Sequence, residues 1–319
     1  MKILFSCDLH GRKDLYDEML RYALEKRCEC ILIGGDLLPT RLAAPIKLIS
    51  GGADFNESLT VQLSFIDSYL VPVLGAFMEE HPDIRILYVP GNHDWKTAVG
   101  HLIQSLPSAR CMHGRIESFD GITFMGYGCV TDSPFWVKDY VRRDTRDSRY
   151  VSSRYPLIST KEGITLSDEG AYALDNPSIA EELSGLYLED PRNTICIFHC
   201  PPFGTGLDTL HDGKPIGSRS IADYIASQQP MVSLHGHIHE SPYMSGLYKT
   251  SLGRTLSINP GHHFRHLHAV CFDTSDPHAT ITHRVFGTKS PKESGMDRMT
   301  DRFARSIKAF FMKNVLMKK

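Results

Sequence analysis

The chain has 319 residues, with 35 Lys or Arg against 37 Asp or Glu, so its formal net charge is −2. This length allows one large α/β domain or two ordinary ones, and it is enough to bury a sizeable core. The near-neutral balance provides no chain-wide field that would attract nucleic acid or an anionic membrane surface.

Short β-rich apolar runs alternate with amphipathic helical patterns, which predicts a layered α/β domain with helices on both faces of the sheets. Two helices are predicted, Leu15–Lys26 and Leu59–Glu80, and Pro72 is expected to kink the second. Nine runs are predicted strands, a number that favours two stacked sheets. They are Lys2–Cys7, Cys30–Ile33, Ile84–Val89, Ile122–Tyr127, Thr194–Phe198, Met231–Leu234, Thr255–Ile258, Leu267–Phe272 and Thr280–Phe286.

Three stretches depart from this alternation. Pro39–Glu57 mixes Pro, Gly and polar residues and is predicted to be an inserted loop. Residues 134–193 are rich in Arg, Asp, Ser and Tyr and are predicted to be an insertion over one edge of a domain that spans residues 1–290. Residues 291–319 are predicted to form a basic amphipathic helix, and packing on the domain or on a second subunit, as in a homodimer, is favoured over membrane binding.

The eight Cys are scattered, and several lie in apolar strand-like runs where a small buried side chain suffices. We therefore predict reduced thiols in a cytoplasmic protein. The N-terminal "MKILFSCDLHG" lacks the regions of a signal peptide, and no stretch approaches the ~20 apolar residues of a membrane span.

Five polar clusters share one position, because each follows the C-terminal end of a predicted strand. They are Asp8-Leu-His10, Gly35-Asp36, Gly91-Asn92-His93-Asp94, His199 and Gly236-His237-Ile-His239. Each alone has an ordinary alternative as a helix cap, a turn or a buried histidine. Ligands bind at this edge of open α/β sheets, so together the clusters are predicted to converge at one crevice.

Carboxylate, imidazole and one amide oxygen, without thiolate, suit borderline-to-hard divalent ions. Seven such side chains are too many for one ion, and two ions about 3.5–4 Å apart need a shared anionic ligand. Asp36, on a short Gly-Asp turn, is predicted to be that ligand. In the pairs Asp8/His10 and His237/His239, alternate side chains of an extended segment would point the same way and both reach the crevice.

These motifs resemble those of the calcineurin-like metallophosphoesterase superfamily, whose pattern D-x-H, G-D, G-N-H-[DE], H, G-H-x-H is present here in order. The stretches "HCPPFGTGLD", "GHIHES" and "INPG" are also similar to the bacterial Icc-related predicted phosphoesterases. The motifs frame roughly residues 1–130 and 190–290. The resemblance implies the metallo-dependent phosphatase-like fold, a four-layer α/β/β/α sandwich of two mixed sheets flanked by helices.

The resemblance also implies two divalent metal ions, with Mn²⁺ or Fe²⁺ expected and Zn²⁺, Ni²⁺ or Co²⁺ as alternatives. One ion would be held by Asp8, His10, Asp36 and His239, and the other by Asp36, Asn92, His199 and His237. A hydroxide bridging the metals would attack the phosphoester. His93 would protonate the leaving oxygen or steady the transition state, and Asp94 would fix the His93 tautomer and raise its pKa.

Other candidates surround this core. Arg142, Arg143 and Arg146 could grip a substrate phosphate, but Asp139, Asp144 and Asp147 lie among them, so internal salt bridges are an equal alternative. The histidines of "NPGHHFRHLH" are expected to shape the rim of the crevice, because this tract has no carboxylate to complete a third metal site. His235 is expected to lie in the core or behind the ligands.

The sequence therefore predicts a metal-dependent hydrolase of small phosphodiesters or phosphomonoesters, with nucleotide-derived substrates among the candidates. A DNA nuclease of the recombination-repair type would need a basic surface and a large capping domain, so no stable nucleic-acid partner is expected. A non-catalytic interaction module held together by metals is the other alternative. Such modules usually lack the catalytic histidine, whereas His93 is present.

Overall fold

The computed structural model describes residues 1–40, 56–133, 135, 137–148, 156–167 and 176–294. Within this part of the chain, two six-stranded mixed sheets stack face to face, and helices cover the outer face of each. A separate two-stranded hairpin belongs to neither sheet.

The first sheet has the strand order β14-β13-β1-β2-β3-β4. Its members are β1 (Lys2–Ser6), β2 (Cys30–Gly34), β3 (Arg85–Val89), β4 (Arg110–Cys111), β13 (Ala269–Asp273) and β14 (Thr282–His283). Strands β1 to β4 run parallel, whereas β13 is antiparallel to both of its neighbours, β1 and β14. The parallel strands therefore end at one shared edge.

The second sheet has the strand order β11-β12-β10-β9-β6-β5, with β12, β10, β9 and β6 parallel and an antiparallel strand at each end. Its members are β5 (Arg115–Phe119), β6 (Ile122–Tyr127), β9 (Thr194–Phe198), β10 (Val232–Leu234), β11 (Lys249–Leu252) and β12 (Thr255–Ile258). The separate hairpin consists of β7 (Leu157–Thr160) and β8 (Gly163–Leu166).

The helices fill the outer layers and the loops. They are α1 (Lys13–Lys26), α2 (Asn56–Phe65), α3 (Val71–Glu80), α4 (Lys96–Ser105), α5 (Ile179–Ser184), α6 (Arg219–Gln228), α7 (Ser241–Ser245) and α8 (Pro277–Thr280). A π-helical turn, Ile66–Leu70, joins α2 to α3.

Alternating side chains along the strands build the layers. In β1, Ile3 and Phe5 pack in the cluster between the two sheets, whereas Leu4 packs with α1 on the outer face. A third cluster joins β6 and β9 to α5 and α6 on the other outer face. The predicted four-layer α/β/β/α sandwich is confirmed.

Eight of the nine predicted strands occur, with small shifts at their ends. The ninth, Thr280–Phe286, is wrong for most of its length, since only Thr282–His283 is a strand. The chain turns immediately afterwards, because the backbone N–H of each of His283 and Gly287 donates to the other's carbonyl over 2.8 Å. Edge strand β5 was missed because its side chains are mostly exposed and polar.

The long helix is interrupted before Pro72, near the predicted kink. The backbone N–H of Val71 bonds to the carbonyl of Ile66, five residues back, and Pro72 occupies the first turn of α3, where its missing N–H costs little. Among the described residues, one helical stretch, Glu57–Glu80, is long and apolar enough to cross a membrane by length and composition, contrary to our expectation. Its buried side packs into the core of the first sheet, as expected of an amphipathic helix that covers a sheet.

The described part of the 134–193 insertion includes β7, β8 and α5. Hairpin β7–β8 packs against the start of α4, where the backbone N–H of Thr97 donates to Ser159 Oγ over 2.9 Å. Most of the predicted Pro39–Glu57 loop and of the C-terminal helix lies outside the described residues, as residues 41–55 and 295–319, and both stay predictions. All eight Cys lie in the described residues, and none forms a disulfide.

Candidate metal centre

The loops that follow the parallel strands are joined to each other by backbone hydrogen bonds. The N–H of Asp8 donates to the carbonyl of Gly35 over 2.9 Å, and that of His10 donates to the carbonyl of Asp36 over 2.8 Å. From the second sheet, the N–H of His237 donates to both carboxylate oxygens of Asp8, at 3.1 and 3.2 Å. The convergence expected of the strand ends is therefore present.

The local reason that we gave for this convergence is wrong. Asp8, His10 and His237 are not extended but lie in the left-handed region, with φ of 56°, 46° and 67°, and Asp36 joins them at 51°. This backbone conformation costs a non-glycine residue about 1–3 kcal/mol. It is found mostly at functional sites, where the surrounding structure keeps the backbone in place. Tight turns rather than strand alternation aim these side chains.

One group of four side chains brings its ligand atoms within 4.8 Å of one another: Asp8, His10, Asp36 and His239. The Nε2 atoms of His10 and His239 are 3.3 Å apart, and His239 Nε2 lies 3.4 Å from Asp8 Oδ1. His10 Nε2 lies 3.7 Å from Asp36 Oδ2. Atoms that bind one ion at about 2.0–2.2 Å are separated by roughly 3–3.5 Å, so this group has the spacing of a metal site.

His199 brings Asp36 together with Asn92. Its Nε2 lies 3.4 Å from Asp36 Oδ1 and 3.2 Å from Asn92 Oδ1, and its ring is 5.3 Å from that of His237. Nδ1 of His199 donates to the carbonyl of Gly34 over 2.7 Å, so Nε2 is the ring nitrogen that faces the two oxygens. Burial acts to lower the pKa of His199, but the Asp36 and Asp8 carboxylates raise it to about 9 because they favour a positive charge on this ring.

We call the cleft formed by these seven side chains the metal cleft; they are Asp8, His10, Asp36, Asn92, His199, His237 and His239. Asp36 is fully buried, and its Oδ1 accepts the backbone N–H of His93 over 2.8 Å. Its Oδ2 has no hydrogen-bond partner among the described residues. A buried carboxylate oxygen without a donor is unfavourable unless a cation neutralises it, so these residues fit a divalent metal.

Two glycines leave the space in which the ligands meet. A Cβ at Gly91 would lie 2.2 Å from Asp36 Oδ1 and 2.7 Å from His199 Nε2. A Cβ at Gly35, which has φ of +99°, would lie 2.3 Å from His199 Nδ1. Any larger residue would therefore push ligand atoms apart.

His93 lies beside the ligands, but its predicted partner does not contact it. The His93 ring is 5.5 Å from that of His10 and 4.6 Å from that of Phe135, and its buried Nδ1 has no hydrogen-bond partner among the described residues. The Asp94 carboxylate instead accepts the backbone N–H groups of Gly91, Leu37 and Leu38. The predicted Asp94–His93 bond is wrong, and burial lowers the pKa of His93 instead of Asp94 raising it.

The arginines of the insertion make internal contacts. Arg142 is buried, with its Nε 3.2 Å from Glu182 Oε1 and its Nη1 donating to the carbonyls of Asp139 and Val141. Arg143 donates to the carbonyls of Arg146 and Asn176, while Arg146 is exposed. Arg142 and Arg143 thus bond within the protein, which speaks against a grip on substrate. Their partners are Glu182 and backbone carbonyls, whereas the side chains of Asp139 and Asp144 accept hydrogen bonds from other residues.

Sequence analysis missed two supporting residues. Gln62, fully buried on α2, donates to the carbonyl of His93 over 2.8 Å and accepts the N–H of Trp95 over 2.9 Å. Asn259, also fully buried, donates to the carbonyl of Leu207 over 2.8 Å and to those of Gly236 and Ile238. The "INPG" stretch was a signal for Asn259, whereas a single Gln on a helix gives none.

His235 lies where it was expected, but the histidine tract is divided, since His262 lies near the ligands whereas His268 is buried and bonds to the carbonyl of Pro260 and to Tyr243 Oη. His235 is buried between the carbonyl of Cys200 and Ser233 Oγ, behind the ligands. His262 lies at the rim, with its ring 4.8 Å from that of His239. His263 stacks on Phe264 and His266, away from the ligands.

Comparison with known proteins agrees with this geometry. A family model described as calcineurin-like phosphoesterase matches residues 1–241. One solved crystal structure aligns with a TM-score of 0.60 and 18% identity over 89% of this chain and 98% of that chain. The crystal structure of TT1561 of Thermus thermophilus aligns with a TM-score of 0.52 and 16% identity over 88% and 97%. A search of curated proteins finds no match.

Proposed function

Because the chain belongs to the calcineurin-like phosphoesterase family, we propose that it hydrolyses phosphoesters with two divalent metal ions held in the metal cleft. The position of Asp36 carries this proposal. Its Oδ1 lies 3.4 Å from His199 Nε2, and its Oδ2 lies 3.7 Å from His10 Nε2. One carboxylate thus faces two separate groups of ligand atoms, as a bridge between two ions requires.

The seven side chains divide into two ligand sets that share Asp36. The first set is Asp8, His10, Asp36 and His239, and the second is Asp36, Asn92, His199 and His237. Bound Mn²⁺ or Fe²⁺ would supply positive charge to the phosphoryl oxygens and would lower the pKa of a water molecule to near neutrality. The mix of imidazole and oxygen ligands suits these ions better than a thiolate-binding one.

His93 is the proposed catalytic residue. Its ring lies against His10 and Phe135 at the edge of the ligand group, and its backbone N–H is fixed by Asp36. From this position its ring N–H would protonate the leaving oxygen of the substrate or steady the transition state. Asp94 has a different proposed role, which is to keep the loop of His93 and Asn92 in place.

We propose a small phosphodiester or phosphomonoester as the substrate, with a nucleotide-derived compound as one candidate. The net charge of −2 supports a small substrate over a nucleic-acid polymer, whose binding depends on a basic surface. A cytoplasmic location and a homodimer remain proposals of the same kind.

Metal reconstitution with two chromogenic substrates tests this function. Protein stripped of metal and reloaded with Mn²⁺ or Fe²⁺ should hydrolyse bis-p-nitrophenyl phosphate, p-nitrophenyl phosphate or both, and the preferred substrate separates diesterase from monoesterase. Asp36→Asn should lose metal and activity, whereas Asp223→Asn, at an exposed position on α6, should match the unmodified protein. A metal-loaded protein that cleaves neither ester would favour a non-catalytic interaction module.

A further inference from the structure

His262 is a half-buried histidine that belongs to neither ligand set but lies at the mouth of the metal cleft. Its ring is 4.8 Å from that of His239 and 5.7 Å from that of His10, which it meets edge-on at 83°. Among the described residues, the ring of His262 contacts these two rings and makes no hydrogen bond of its own. A polar group is thus available at the cleft without an internal role.

The backbone around His262 is held firmly against the loop of His237 and His239. The N–H of His262 donates to the carbonyl of His239 over 3.1 Å, and Asn259 accepts the N–H of Gly261 over 2.9 Å. Gly261 has φ of +73°, and a Cβ there would lie 2.9 Å from the carbonyl oxygen of His239. The chain can approach this closely only with glycine at 261, so the position of His262 is set by its neighbours.

His10 stands between two imidazoles that are outside the ligand sets. Its ring contacts that of His93 at 5.5 Å and that of His262 at 5.7 Å, and the structure shows no contact between those two rings among the described residues. A third metal ion at His262 does not fit, because the group of mutually close ligand atoms does not include it and its tract adds no carboxylate.

We propose that His262 is a substrate-contacting residue, whose ring N–H donates a hydrogen bond to a phosphoryl oxygen held in the metal cleft. This inference rests on the proposed function and assigns to the phosphoryl group a contact that the metals and His93 do not supply. A donor fixed in advance by its backbone loses little freedom on binding, and a hydrogen bond to an anionic oxygen is stronger than a neutral one.

Inorganic phosphate is the probe, because its binding can be measured without turnover. Titration calorimetry on the Mn²⁺-loaded protein would compare His262→Phe, which keeps a ring but removes the donor, with His262→Gln, which keeps a donor. We expect His262→Phe to weaken phosphate binding by about tenfold or more, and His262→Gln to recover part of the loss. His266→Gln, in the same tract but with its ring stacked on His263, should bind phosphate normally.

Metal content and turnover complete the test. All three variants should retain the metal stoichiometry of the unmodified protein, and His262→Phe should lower kcat/KM for the better nitrophenyl ester by a factor close to its loss in phosphate affinity. Unchanged phosphate affinity in His262→Phe overturns the inference, as does a parallel loss of metal or a failure of the unmodified protein to bind phosphate. Weakened phosphate binding without ester hydrolysis in any protein supports the role of His262 and removes the proposed function. Should the Phe variant not fold, His262→Ala, which also removes the donor, takes its place.

Discussion

The carboxylate of Asp94 accepts a hydrogen bond of 2.8 Å from the backbone N–H of Leu38 and thereby joins the loop after β3 to the loop after β2. It also accepts the N–H groups of Leu37 and Gly91, so three backbone donors end on one buried side chain. Asn92 and Asp36 are carried by these two loops. The spacing between these two candidate ligands therefore depends on a residue that contacts neither the metal positions nor the His93 ring nitrogen.

The first prediction concerns this brace. Asp94→Ala should lower the free energy of unfolding by about 2–4 kcal/mol, because three buried N–H groups lose their acceptor. The metal content should fall with it, since the two loops are no longer joined. Denaturant unfolding measures the stability and elemental analysis the metal content. Asp94→Asn keeps one acceptor oxygen, so its stability and metal content should lie between those of the unmodified protein and of Asp94→Ala. A fully stable Asp94→Ala protein with normal metal content would contradict this role.

The second prediction concerns the space between the ligands. Gly91→Ala should reduce metal content and lower activity at least about tenfold, because its Cβ would lie 2.2 Å from Asp36 Oδ1 and must displace a ligand. Gly100→Ala is the matched control, since nothing lies within 4 Å of a Cβ there. On helix α4 this control should be neutral or stabilising by up to about 1 kcal/mol. Normal metal content in Gly91→Ala would show that the cleft tolerates the extra methyl group.

The layers of the fold could be predicted because each buried strand carries a continuous apolar run with turn residues after it. Ile122–Tyr127, Thr194–Phe198 and Thr255–Ile258 were predicted with their observed ends. Such runs signal burial, so β5, which is mostly exposed, and the hairpin β7–β8, whose short strands are mostly half-buried, gave no comparable signal. The apolar pattern of Thr280–Phe286 wrongly indicated a strand, because its apolar residues pack into the core from a turn.

The membership of the site was predictable because ligand residue types recur at strand ends, but the directions of side chains were not. A positive φ at Asp8 or His10 depends on hydrogen bonds to the loop of Asp36, which is distant in sequence. The partner of Asp94 is likewise a set of backbone N–H groups, and these carry no residue-type signal. Adjacency in "GNHD" therefore misled the prediction of an Asp94–His93 bond.

The third prediction tests His93 as the catalytic residue. His93→Ala should lower kcat by about 10²–10⁴-fold, the usual contribution of a positioned acid, while the metal content stays that of the unmodified protein. His93 is not one of the seven proposed ligands, so a loss of metal in His93→Ala would mean that His93 helps to hold the metal. His101→Ala, at a histidine on α4 that pairs with Asp67, serves as the control and should leave both quantities unchanged. An equally active His93→Ala protein would remove His93 from the mechanism.

The fourth prediction concerns acid stability and His268, a buried histidine outside the ligand sets whose pKa burial lowers from 6.5 to about 4. Its Nδ1 donates to the carbonyl of Pro260 and its Nε2 accepts from Tyr243 Oη, so the folded protein holds the neutral ring. Between these two pKa values the unfolded chain binds a proton that the folded protein does not bind. The contribution of His268 to the free energy of unfolding is therefore fully present above pH 6.5 and is lost as the pH falls towards 4. From pH 7.5 to pH 5 this group alone should remove about 2 kcal/mol of unfolding free energy. Urea unfolding at pH 7.5 and pH 5, at one fixed metal concentration, would compare the unmodified protein with His268→Gln. The variant should lose less unfolding free energy between these pH values. Equal losses would mean that His268 does not titrate on unfolding.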